Sequence, residues 1–181
     1  MRTKNMILVA LFAAMSAAGA FIKIPVGPVP ISLQTLFTIL AGIIIGPYLG
    51  ALSQIIYIFI GLIGIPVFTS GGGPSYIFSP TFGFLLGFIL SSFVSGTISS
   101  KIAKNSFLKY IIACIAASAS VYLIGVPYMY LIMKYSMNTN ISFFTALKTG
   151  CILFIPGDIA KSLLASIIAF KTVPVLKKMQ H

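Results

Sequence analysis

One acidic side chain stands in the whole sequence, Asp158, and three residues later comes Lys161. Both lie in an apolar, helix-forming stretch, residues 155–170. A helix carries positions i and i+3 on one face, with Cβ atoms about 5–6 Å apart. An ionised carboxylate only accepts hydrogen bonds and an ammonium only donates them. Together they offer a matched acceptor and donor to a polar solute. Charge inside a membrane segment is costly, so it points first to a functional site. The competing reading is an ion pair that neutralises itself and locks helix packing. The same inventory argues against other chemistry. One acid and one histidine, His181, leave no carboxylate pair, no His/Asp relay and no metal-ligand set. A hydrolase, a metalloenzyme or an ATPase is not expected, and neither is a cofactor or a metal. A proton-coupled carrier running on Asp158 stays open as an alternative.

The elements that must position the pair are membrane helices. Charged residues make up 7% of the chain, against roughly 25% in soluble domains, and the mean hydropathy is +1.10. So few charges cannot cover a soluble surface. The expected fold is a single all-α integral membrane domain over residues 1–181, with six transmembrane helices. The spans are read at residues 6–22, 31–45, 48–65, 80–100, from 107 past Tyr122, and 156–170. Gly125 and Pro127 are expected to kink or end the fifth, with an extension to Met133. A short interfacial helix at 142–149 and a reversal precede the sixth, where Pro156 in the first turn suits a helix start. The competing reading is one long kinked helix from 141 to 170.

The net charge of +11 carries no nucleic-acid signature, because the bases form no dense run and no aromatic interleaving. They lie between apolar segments, as topology signals and contacts to anionic lipid. With the N-terminus inside, Arg2, Lys4, Lys101, Lys104, Lys109, Lys171, Lys177 and Lys178 fall inside, and Lys23, Lys134 and Lys148 outside. The positive-inside rule then favours N-in and C-in. Three unusual segments share the outer face on this reading: the Pro-rich loop 23–30, the loop Gly71-Gly72-Gly73-Pro74, and the start of the sixth span. Cys114 and Cys151 read as buried small hydrophobes.

Four further patterns stand out. Ala10, Ala13, Ala14, Ala17 and Ala18 set small residues four apart, which lets helices approach closely in lipid. This serves packing within the bundle or docking on a partner equally well. The triple glycine permits backbone shapes closed to other residues, as an anion nest, a lid or a plain turn. Thr81 is a candidate helix cap or early-turn donor, and Tyr76, Phe78, Phe82 and Phe84 cluster near it as an interfacial belt or a stacking surface. Gln34 is an amide early in the second span, where it is costly unless paired. It serves as helix glue or as part of a polar pocket floor.

These runs together resemble the BioY family, the biotin-specific membrane subunits (S components) of energy-coupling factor (ECF) transporters. The resemblance covers nearly the whole chain. It rests on residues 10–14, on Val29-Pro30-Ile31-Ser32-Leu33-Gln34-Thr35, on the glycine loop, on residues 79–88, and on Pro156-Gly157-Asp158-Ile159-Ala160-Lys161. It implies a six-helix S-component bundle in the bacterial cell membrane that takes biotin from outside. It also implies docking of the alanine motif on a transmembrane coupling subunit driven by two ATPase subunits, with loop 23–30 as a lid. Ligand contacts fall to Asp158 and Lys161, with Gly72, Gly73, Ser75, Tyr76, Thr81, Phe82, Phe84 and Gln34 as further candidates. The family usually shows Gly-Gly-Tyr after its Pro-Thr, whereas this chain has Phe82-Gly83-Phe84. No aromatic hydroxyl is therefore available at Phe84, and Tyr76 is the candidate to supply one. A binding subunit for another vitamin is the nearest alternative.

Overall fold

The computed structural model describes residues 3–102 and 106–178, and side chains up to residue 176. Arg2, Lys104 and His181, and the side chains of Lys177 and Lys178, lie outside this description. Seven α-helices are formed: α1 Thr3–Phe21, α2 Gln34–Ile45, α3 Pro47–Leu62, α4 Phe82–Lys101, α5 Phe107–Leu131, α6 Phe143–Gly150 and α7 Ile155–Lys178. Four stretches are long and apolar enough to cross a membrane: α1, α4, α5 with the turn after it, and α6 with α7. The helices α2 and α3 are shorter. At 1.5 Å per residue their 12 and 16 residues fall short of the 20 or so that an upright span needs. Their tight junction explains the shortness. Gly46 takes φ +90° and Pro47 opens α3, so the chain turns at once; α2 is buried along most of its length, while α3 keeps Tyr48, Ile55 and Phe59 exposed.

The connections are built at the other end. A two-residue hairpin, β1 Lys23–Ile24 with β2 Ile31–Ser32, follows α1, and Leu33 N donates to Gly19 O and Ile22 O. The loop after α3 closes on itself through a Phe68–Gly71 bridge and a 3₁₀ turn, Pro74–Phe78. Gly71 and Gly73 take φ +118° and +106°. Their amides donate to Phe68 O and Gly61 O, so two of the three glycine N–H groups serve the fold and do not form an anion nest.

Glycines set the helix spacing. A Cβ on Gly42 would stand 2.0 Å from Ser92 O, and one on Gly87 would stand 2.9 Å from Val121 Cα. A Cβ on Gly125 would stand 2.5 Å from Phe84 Cδ1. These contacts hold α2 and α5 against α4. Of the two outcomes expected at Gly125 and Pro127, a kink or an end, the end does not occur: α5 runs on to Leu131 before a single π turn, and so through the expected extension to Met133. Tight packing on α4 carries the helix past the proline, as helix contacts in membranes allow. The expected interfacial helix is α6, capped by Ser142 Oγ, which accepts from Thr145 N. The backbone leaves helical geometry at Cys151, and one 3₁₀ turn leads into α7. One long kinked helix is therefore not what the chain forms.

The apolar interior has two parts. Near the loops it is aromatic, with Tyr57, Phe68, Tyr76, Phe82, Phe84 and Phe88. Towards the opposite end it mixes Phe12, Leu36, Ile39, Leu40 and Tyr110 with small residues, Ala113, Cys114, Ala117, Ala165 and Ala169. Gln54 bridges α1, α2 and α3. Its Oε1 accepts from Ser16 and Thr38, and its Nε2 donates to Ser53. Gly42→Ala is expected to cost about 1–3 kcal/mol of stability by overpacking α2 against α4. Unfolding in detergent followed by circular dichroism measures it, and an unchanged midpoint contradicts the packing account.

Candidate functional site

Where α7 begins, Pro156 and Gly157 set Asp158 in the first turn and Lys161 one turn on. A carboxylate is stabilised there by the helix N-terminus. Both side chains are buried, and Lys161 Nζ lies 2.6 Å from Asp158 Oδ1. The other carboxylate oxygen accepts from the Tyr122 hydroxyl of α5. Lys161 also donates to Ser32 O at 3.3 Å. One cation, one phenol and one carbonyl therefore join α7, α5 and the hairpin. Lys161 has three donors and uses two here, and a carboxylate can accept more bonds than the two it receives. The pair keeps capacity for a guest.

That capacity faces a cavity of about 40 Å³. Its polar side carries Asp158, Lys161, Ser32, Gln34 and Thr35. Phe84 and Phe88 from α4, Tyr122 from α5 and Phe154 form apolar walls. The roof comes from Val29 and Pro30 of the first loop and Thr69 of the glycine loop. The two roof loops are tied directly, because Lys23 Nζ donates to Thr69 O. Small-molecule sites run from about 300 Å³ upward, so the cavity as it stands is smaller than such a ligand needs. On the far side, Tyr122 and Asp158 also border an apolar groove of about 360 Å³ between α5 and α7.

The expected convergence of three segments is present: the Pro-rich loop, the glycine loop and the start of α7 meet over one cavity. Asp158, Lys161, Gln34, Thr81 and Phe84 all line it. Gln34 is glue and lining together. It accepts from Ser32 Oγ at 2.9 Å and donates to Tyr57 OH at 2.6 Å, and Tyr57 donates to Val67 O of the glycine loop. Thr81 occupies the cap position of α4 without capping it, and donates instead to Tyr76 OH at 2.8 Å. Tyr76 stands behind the lining, also bonded to Thr69. Phe82 packs on Tyr128. Gly72, Gly73 and Ser75 do not line the cavity, and Ser75 is exposed. Of the alanines, Ala10, Ala14 and Ala18 are exposed as one stripe, Ala13 is buried in the core, and Ala17 is packed against it. A second buried lysine, Lys109, donates to Ile102 O near the start of α5.

Sequence reading missed Tyr122, Ser32, Thr35 and Thr69 as lining groups. Ser32 and Thr35 flank Gln34 in one polar run, which was a usable signal. Tyr122 gave a weaker one: a phenol in an apolar helix needs a partner for its hydroxyl, and the sequence does not say which.

Fold and site together define a multi-pass helical membrane protein with a closed, polar-floored cavity beneath two loops. The BioY family model matches residues 1–178. A protein of Lysinibacillus sphaericus named as a probable biotin transporter BioY is 37% identical over 97% of this chain and 89% of its own length. One from Pyrococcus horikoshii with the same name is 38% identical over 93% and 96%. The biotin transporter BioY of Thermotoga maritima is 33% identical over 98% of both. A crystal structure of the S-component for biotin from an ECF-type ABC transporter superposes with TM-score 0.71 at 29% identity, over 94% of this chain and 90% of that one. The chain belongs to the BioY family.

Removing one member of a buried pair leaves an uncompensated charge, so Lys161→Met is expected to cost about 3 kcal/mol or more. Adding Asp158→Asn recovers part of that loss. Unfolding of the four forms of this double-mutant cycle in detergent measures the coupling, and additive losses would show that the two side chains stabilise the fold independently.

Proposed function

We propose that this protein is the biotin-binding membrane subunit of an ECF-type uptake transporter. The observation that carries the reading is the Asp158–Lys161 pair at the polar floor of a cavity roofed by two loops. Biotin presents a ureido head whose N–H donors adjoin its carbonyl. Asp158 takes an N–H and Lys161 gives to the carbonyl. Their separation of 2.6 Å suits two neighbouring atoms of one small head group better than the two ends of a long ligand. The thioether ring lies against Phe84 and Phe88, and the tail carboxylate points to the roof beside Thr69. Names and fold of the relatives support the same ligand.

The chain captures its ligand alone. It carries no nucleotide-binding motif, so inward release depends on partners: a transmembrane coupling subunit and two ATPase subunits. The exposed stripe Ala10, Ala14 and Ala18 supplies a close-approach surface for the coupling subunit. Six membrane crossings with both termini inside fit the placement of basic residues. Lys4 lines the cleft at the end away from the loops, and Lys23 ties the two loops over the cavity. No step needs a cofactor or a chemical change in the ligand, so the chain is read as a carrier subunit and not an enzyme.

A charge-assisted hydrogen bond contributes about 1.5–3 kcal/mol. Asp158→Asn therefore lowers biotin affinity by about tenfold or more, measured by isothermal titration in detergent on protein that stays monodisperse. Wild-type affinity in that variant removes Asp158 from the recognition site. Tight binding of a different vitamin with none of biotin would move the reading to a sister specificity.

A further inference from the structure

The end of the bundle away from the loops carries a second cleft, of about 310 Å³, where α1, α2, α3, α4 and α7 meet. Lys4 and Asn5 stand on one side and the mostly buried Ser99 on another, above a sheath that includes Leu8, Leu49 and Leu176. The polar groups cluster near the helix ends, and the apolar ones run back along the helices. That division matches a charged head group with a hydrocarbon chain below it.

Charge balance identifies the head. Lys4 has no hydrogen-bond or ion-pair partner among the described residues. No carboxylate side chain can reach it, because the sequence holds only Asp158 and that residue is bound to Lys161 and Tyr122 at the far end. Lys4 is exposed, so an anion from the surroundings can pair with it in the cleft. Ile43 lines the cleft, and four residues on stands Pro47, which has no N–H to offer the Ile43 carbonyl.

We propose that this cleft binds one anionic glycerophospholipid. Its phosphate lies on Lys4 with Asn5 and Ser99 as neutral donors, a head-group hydroxyl reaches the Ile43 carbonyl, and one acyl chain lies along Leu8 and Leu176. The site is independent of the ligand cavity and of what that cavity binds. It also anchors the end where α1 starts, beside the exposed alanine stripe.

The test is native mass spectrometry of the full chain released from vesicles of equal phosphatidylglycerol and phosphatidylcholine. One lysine near a membrane surface favours an anionic lipid by about fivefold, so the retained lipid is phosphatidylglycerol at about that enrichment. Lys4→Gln returns the ratio to that of the vesicles. Leu176→Trp, which fills the apolar wall and leaves the charge alone, also reduces retention. Lys134→Gln, an exposed lysine at the other end, leaves the enrichment intact. Retained lipid that mirrors the vesicles, or enrichment that survives Lys4→Gln, overturns the site. Displacement of the lipid by soluble glycerol phosphate overturns the lipid assignment in favour of a free phosphate.

Discussion

A carboxylate taken out of water keeps its charge only if the protein replaces the water around it. Asp158 is surrounded on those terms: an ammonium on one oxygen, a phenol on the other, and the first turn of α7 beneath. Each partner is fixed by something else. Lys161 reaches the hairpin carbonyl of Ser32. Tyr122 is held in α5, which is pressed on α4 by Gly87 and Gly125. The position of one acid therefore constrains two helices and a loop. Buried pairs of this kind are weak contributors to net stability, so on the proposed reading their use lies in specificity: a polar guest can substitute for bonds the pair already makes.

The two ends of the bundle are packed differently. Near the loops the core is aromatic, with bulky rings that frame a cavity and hydroxyls that tie it to the loops through Gln34, Tyr57, Thr69 and Tyr76. Towards the other end, alanines and a cysteine stand among Phe12, Leu36, Ile39, Leu40 and Tyr110, and Gly42 brings α2 close to α4. The roof over the cavity is tied across its two loops by Lys23 and Thr69.

Much of this was legible in the residues. The long spans followed from hydropathy, the break before α7 from Gly150, Pro156 and Gly157, and the α6 start from Ser142. The ion pair announced itself by scarcity, since a chain with one acid gives that acid unusual weight. What escaped was set by tertiary packing. Tyr122 lies 36 residues from its partner, and its neighbours in α5 are apolar like those of every other span. Pro127 read as a kink or an end, and local rules do not show that α4 packs against the helix on both sides of it. The alanines divide between core and surface by rotation about α1, which small residues alone do not fix. Gly72, Gly73 and Ser75 belong to a loop whose amides and turns shape the roof from outside the cavity.

The account is tested most directly from the ligand side. Isothermal titration of the wild-type protein and of Asp158→Asn, each with biotin and with biotin methylated at one ureido nitrogen, isolates the bond between carboxylate and N–H. The expected result is that methylation weakens wild-type binding by about tenfold or more and makes much less difference in the variant, where the acceptor is already compromised. Equal discrimination by both proteins would contradict it, and would place the ureido head somewhere other than the floor built by Asp158 and Lys161.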